Sequence, residues 1–409
     1  MKNKKKPFLI LNLFFVFHLM NAQGFWTQKA NLVGNGRQAA VGFSIGNKGY
    51  IGTGVSGGPT YYKDFWEWDP ATNVWTQKAD FGGTARQDAV GMSIGTKGYI
   101  GTGMSGDYNE YTLYQDFWEW DQTTNIWTQK SNFGGTARHE AVAFSIGTKG
   151  YLGTGSDGMR QNDFWEWDQV SNVWTQKANF GGTARESAVG FSICTKGYLG
   201  TGQDANGREK DFWEWDQLTN IWTQKANFEG VPRQLSAGFS IGSKGYIGTG
   251  DCYGGTNDFW EWDQDVDVWT QKTNLDGQAR WAAIGFSIGT KGYIGTGSGD
   301  NYPYYKQDFW EYDPSSITSI NEIRIQDLIS VYSNPNDRIF IIHYENYLAL
   351  GSLQLSIFTI QGKAVYKESL NDFNGVLNRQ INLDNPAKGT YFIEVNSNKA
   401  IAVKKMIIE

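Results

Sequence analysis

The stretch "DFWEWDPATNVWTQKA", residues 64–79, sets three tryptophans around a turn sequence. Its words return along the chain: "DFWEWD" at 116, 163, 211 and 258, "DFWEYD" at 308, and "WTQK" at 127, 174, 222 and 269. The earliest "WTQK" stands at 26, ahead of any "DFWEWD". Extended backbone alternates its side chains, so Trp66 and Trp68 share one face and Phe65 and Glu67 the other. With "PATN" as the turn, Trp68 is expected to face Trp75 across a hairpin, a pairing that adds about 0.5–1.5 kcal/mol beyond burial.

Aligning the chain with itself gives six units of about 48 residues, a period that belongs to solenoids and propellers. Each unit holds an alternating "AVGFSI"-type segment (strand A), "KGYIGTG" (B), "DFWEWD" (C) and "NVWTQK" (D), with Gly, Asn and Asp in the turns. Four short antiparallel strands per unit describe a propeller blade. The sixth unit has strands A (281–288), B (292–297) and C (308–312) but stops at "DPSS". The orphan "FWTQK" at 25–29 supplies the missing strand D. An all-β, six-bladed propeller closed by its N-terminal strand is therefore expected, with no open edge.

The "GYIGTG" ending of strand B, the "WDP…N.W" hairpin and the arginine ahead of strand A resemble the kelch family over residues 24–314. Kelch repeats usually end strand B in a glycine pair, where this chain has Gly-Thr-Gly.

At the other end of the strand inventory, "ISVYSNP", "RIFIIHY", "LQLSIFTIQGKAVYKES", "LNRQINL", "GTYFIEVNSN" and "IAVKKMIIE" predict a small Ig-like β-sandwich. Tyr332, Asn334, Pro335, "SIFTIQGKAVY", "KGTYFIEV" and "VKKMIIE" resemble the type A C-terminal sorting domain of the type IX secretion system. That resemblance implies passage through outer-membrane secretion machinery, to a secreted or cell-surface location in a Gram-negative bacterium. The start, "MKNKKKPFLILNLFFVFHLMNAQ", has the basic, apolar and small-residue order of a secretory signal peptide rather than a spanning helix. The expected organisation is signal peptide 1–22, propeller 23–314, linker 315–329 and sorting domain 330–409, with no transmembrane helix in the mature chain.

Net charge is −6 over 409 residues, and loss of the four lysines of residues 1–22 makes it −10. Nucleic acid is not an expected partner of so acidic a chain. Two cysteines cannot form a disulfide framework. Cys194 falls in an A–B turn and Cys252 in a B–C loop, at opposite ends of the ring, so no bridge between them is expected.

Repetition within the chain sorts its candidates. Arg37, Arg86, Arg138, Arg185, Arg233 and Arg280 open strand A, facing a central funnel on the end that carries the B–C and D–A loops. They could bind a carboxylated glycan, or pair with a nearby acid to lock blades together, and their sixfold recurrence weighs toward the second. The following residue varies: Gln38, Gln87, His139, Glu186, Gln234 and Trp281. Of eighteen tryptophans Trp281 alone lies off the repeat, and near His139 and Glu186 it could stack on a sugar or a peptide side chain. The B–C loops add Tyr62, Tyr108, Tyr111, Tyr114, Tyr253 and Tyr304. Ligand-binding residues are thus expected among Trp281, His139, Glu186, Arg138, Arg185, Arg280 and these tyrosines. Loop aspartates complete no calcium pattern and no zinc spacing, phosphate loop or nucleophile elbow appears, so no metal, cofactor or catalytic residue is assigned. The expected role is binding of a glycan or protein ligand. The alternatives are a carbohydrate-active enzyme, mutarotase- or lyase-like, and a structural surface protein.

Overall fold

In a computed structural model, the chain is described at residues 23–57, 60–106, 110–315, 329–332, 338–345, 351–373, 376–397 and 400–409. The expected signal peptide, nearly all of the expected linker, Asn334, Pro335 and Tyr108 lie outside these residues. The chain divides into two compact units at 316/317.

Alternation builds each blade. In "VGFSI", Val41, Phe43 and Ile45 are buried while Gly42 and Ser44 keep partial exposure. Strand A of the first blade is Val41–Ile45, B is Lys48–Gly52, C is Phe65–Asp69 and D is Val74–Lys78, paired in that order. Six such four-stranded antiparallel sheets form the propeller unit. Trp68 does sit opposite Trp75, with ring centroids 6.4 Å apart. The other face of the sheet reaches the next blade, where Phe65 meets Trp120 and Trp127 edge-on at 5.0 and 5.2 Å. Each sheet is thus wedged between aromatics on both faces, which accounts for the tryptophan density.

The ring closes as the sequence predicts. Phe25–Lys29 pairs with Phe309–Asp313, placing Trp26 opposite Tyr312. Trp26 also packs on Phe259 of blade five at 4.9 Å and donates from Nε1 to the Thr273 carbonyl at 3.0 Å. Trp75 makes the same bond to the Ala30 carbonyl at 2.8 Å, so the supplied strand docks as a native one would. Around the axis the A strands crowd together; a Cβ on Gly42 would lie 2.7 Å from Ile284 Cβ of blade six. Small residues are a steric condition of closure there.

One boundary differs from expectation. Strand A begins at Val41, not at Arg37, and its counterparts begin at Val90, Val142, Val189, Ala237 and Ile284. Two residues after each arginine the backbone turns left-handed, at Ala39, Asp88, Glu140, Ser187, Leu235 and Ala282, with φ between 49° and 57°. That turn breaks the alternation on which the longer strand rested.

The C-terminal unit has two sheets. One contains Ile329–Tyr332, Ile339–Glu345 and Val376–Asn382; the other contains Ala364–Phe373, Gly351–Thr359, Gly389–Ser397 and Ala400–Ile408. Phe340, Ile342 and Tyr344 from the first bury against Leu355, Ile357, Ile393 and Met406 of the second.

Candidate functional site

The arginines form a girdle beneath the funnel surface. All six are 0–1% exposed. Each Nη2 donates to the aspartate that opens "DFWE", Asp64, Asp116, Asp163, Asp211, Asp258 or Asp308, at 2.6–2.9 Å. Each Nη1 donates to the carbonyl of the threonine in Gly-Thr-Gly at 2.8–3.0 Å. The same aspartate accepts a bond from the first tryptophan of its motif, as Asp64 does from Trp66 Nε1 at 2.7 Å. Burial pushes Asp258 and Asp308 up, but their bonds to Arg233 and Arg280 outweigh it and hold both carboxyls below the usual range. Arg138, Arg185 and Arg280, expected at the ligand, therefore present no surface to one. Their guanidinium groups are occupied by a bidentate pair that sequence separation of 25 to 28 residues conceals.

Above the girdle, the left-handed residues carry a closed ring of backbone hydrogen bonds. Ala39 N–H donates to the Ala282 carbonyl, Asp88 to Ala39, Glu140 to Asp88, Ser187 to Glu140, Leu235 to Ser187 and Ala282 to Leu235, at 2.8–3.1 Å. These six residues line a central cavity of about 160 Å³. Its wall is chemically divided: Asp88, Glu140 and Ser187 come from blades two to four, and Leu235, Ala282 and Ala39 from five, six and one.

The next ring outward is the expected one. Gln38, Gln87, His139, Glu186, Gln234 and Trp281 each pair through the backbone with the start of their own B–C loop, as Trp281 does with Ser298. This confirms that D–A and B–C loops share one end of the ring. His139 and Glu186 stand on neighbouring blades, and part-exposed Trp281 stands on blade six, opposite blade three. Glu186 Oε1 accepts from Arg160 Nε at 3.0 Å and Nη2 at 2.7 Å. His139 Nδ1 lies 4.0 Å from Glu140 Oε1, is itself buried, and has no hydrogen-bond partner.

Sequence reasoning missed the inner ring. Burial drives the Asp88 carboxyl well above its ordinary range, and the charges of Glu140 and Glu186 add to the effect. Burial raises Glu140 as well, against a bond from Ser187 Oγ and the charge of His139. The missed signal was variation one residue further on, where Ala, Asp, Glu, Ser, Leu and Ala succeed one another.

The loop tyrosines separate into two kinds. Tyr62 and Tyr114 lie under the guanidiniums of Arg37 and Arg86, at 4.3 and 3.9 Å from ring centroid to Cζ, with hydroxyls on Ser56 and Ser105 at 2.6 Å. They hold loops down. Tyr111, Tyr253 and Tyr304 are exposed, Tyr253 at 90%, and Arg208 stacks beneath its ring at 3.7 Å. Tyr253 borders a separate recess of about 340 Å³ with Arg208, Val231, Pro232 and Cys252.

The N-terminal unit is a six-bladed propeller. Over 68% of this chain and 95% of its own, a solved structure titled "Structure of YjhT" superposes with a TM-score of 0.59 at 15% identity. At that identity the likeness establishes the fold alone. Residues 330–409 match the family described as "Secretion system C-terminal sorting domain". The protein is thus secreted or displayed on the surface of a Gram-negative bacterium, through interaction with the secretion machinery that reads such a domain. No curated protein matches the sequence. Among the described residues no helix is long and apolar enough to cross a membrane.

Proposed function

We propose that the protein is an exported binding protein that takes a glycan or protein ligand at the funnel mouth, on the end carrying the B–C and D–A loops. One observation carries this reading: six blades nearly identical in their strands diverge in chemistry around that mouth. Trp281, His139 and Glu186 form its rim, and exposed Tyr111, Tyr253 and Tyr304 extend it along the loops. An aromatic rim beside polar groups suits the alternating faces of a sugar or a peptide side chain. Residues 23–314 form the proposed binding domain, and residues 330–409 its export signal.

A glycan and peptide binding screen on the mature protein, wild type beside Trp281→Ala, tests the proposal. The expected result is a hit weakened at least about tenfold by the substitution, the loss of a buried aromatic contact. A hit that Trp281→Ala leaves unchanged would move the site off the mouth. A second reading, a carbohydrate-active enzyme, is favoured by the raised carboxyls of Asp88 and Glu140 beside Glu186, since general acids are tuned that way. Turnover of a bound sugar, lost in Glu186→Gln, would select it.

A further inference from the structure

Asp88 and Glu140 of the inner ring, with His139 of the rim beside them, form a cluster whose joint chemistry the binding proposal does not use. The Asp88 carboxylate, Glu140 carboxylate and His139 imidazole each place one ligating atom so that all lie within 4.8 Å of one another. No hydrogen-bond donor meets the Asp88 side chain among the described residues, and Nδ1 of His139 is buried and unpartnered. A buried nitrogen with no partner is costly unless something outside the protein satisfies it. Glu186 adds a third carboxylate whose charge reaches both Asp88 and Glu140, and the one arginine nearby, Arg160, is paired with Glu186 and acts on Glu140 through its charge. The cluster therefore carries more negative than positive charge, and Asp88 and Glu140 line the cavity with His139 beside them.

We propose that Asp88, His139 and Glu140 bind a divalent transition cation, of the zinc or manganese kind, at the side of the funnel.

Two carboxylate oxygens and one imidazole nitrogen form a mixed set that suits such an ion, whereas calcium takes oxygen alone. Three atoms up to 4.8 Å apart lie about 2.8 Å or less from a common centre, and metal bonds of about 2.0–2.2 Å need each to move inward by roughly half an ångström. Side-chain rotation supplies that. The cavity of about 160 Å³ has room for an ion with its waters. Ser187 Oγ holds the second oxygen of Glu140, an outer support of the sort that orients metal ligands. Asp88 and His139 are far apart in sequence and on different blades, which is why no metal spacing is legible in the chain. The ion would sit between blades two and three at the side of the funnel, and its open positions would face the cavity that Asp88 and Glu140 line.

The test is a calorimetric titration of the metal-free mature protein with Zn²⁺ or Mn²⁺, with Co²⁺ absorption as a report on the ligand set. One ion per chain is expected. His139→Ala and the isosteric Asp88→Asn and Glu140→Gln should each weaken binding at least about tenfold. His343→Ala, in the C-terminal unit, should change nothing. Absence of stoichiometric binding to the wild type would overturn the proposal. So would binding that persists unchanged when His139 or Asp88 is substituted in a protein shown by circular dichroism to be folded. The readout does not involve a glycan, so it fails or succeeds apart from the binding proposal.

Discussion

The girdle and the inner ring lie two residues apart in sequence and follow opposite rules. Arg138 is sealed from solvent with its guanidinium bound to an aspartate and two carbonyls, and five other blades repeat the arrangement. Asp88 and Glu140 face the axis with like charge beside them and few donors. Where the chain repeats a charged residue six times, the fold satisfies it fully; where it departs from the repeat at Asp88 and His139, the fold leaves ligating atoms open. Satisfied groups hold the ring, and open groups are available for a ligand.

The comparison can be broken first at its frame. Deleting residues 24–30 removes the strand that completes blade six, together with Trp26 and its contacts on Phe259 and Thr273. Loss of a buried tryptophan alone costs about 3–5 kcal/mol, so the propeller is expected to melt far lower or fail to fold. An unchanged melting temperature would refute closure. Asp308→Asn comes next, because it strands Arg280 as an unpaired buried charge, and about 3–5 kcal/mol is expected from urea unfolding at pH 7. Its pH dependence sharpens the point. The Asp308 carboxyl is held below its unfolded value, so its contribution is complete above about pH 4 and is lost as pH falls through the depressed value. The substituted protein should lack that part of the acid transition. At the inner ring the sign reverses. Asp88→Asn removes one of the crowded carboxylates and places asparagine, which tolerates a left-handed backbone, at φ 53°. Without metal at pH 7 it is expected to gain about 1 kcal/mol; destabilisation would mean that the inner ring is built for stability like the girdle.

Much of the frame is legible in the chain. The six-unit period, the Trp68–Trp75 pair and closure by Phe25–Lys29 follow from repeat words and alternation. The candidate site is less legible, for an identifiable reason. Strand A of blade six was expected from Trp281, and the left-handed turn at Ala282 delays it to Ile284, as its equivalents do at Asp88 and Glu140. The rim residues His139, Glu186 and Trp281 were visible as departures from the repeat, while the inner ring was hidden by one reversed dihedral. The tyrosines were visible as a group, but whether each anchors a loop depends on a serine partner that only the fold supplies, as at Tyr62 and Tyr114.

By itself the sequence determined the blades, their number, the manner of closure and the export domain, because local alternation and turn chemistry repeat without regard to distant partners. Only the tertiary structure decided which charges are spent and which are open. Pairing of Arg138 with Asp163 joins residues 25 apart within one blade, and convergence of Asp88 on His139 joins residues of neighbouring blades. Burial and like-charge proximity are properties of that assembled space, and a linear pattern does not encode them.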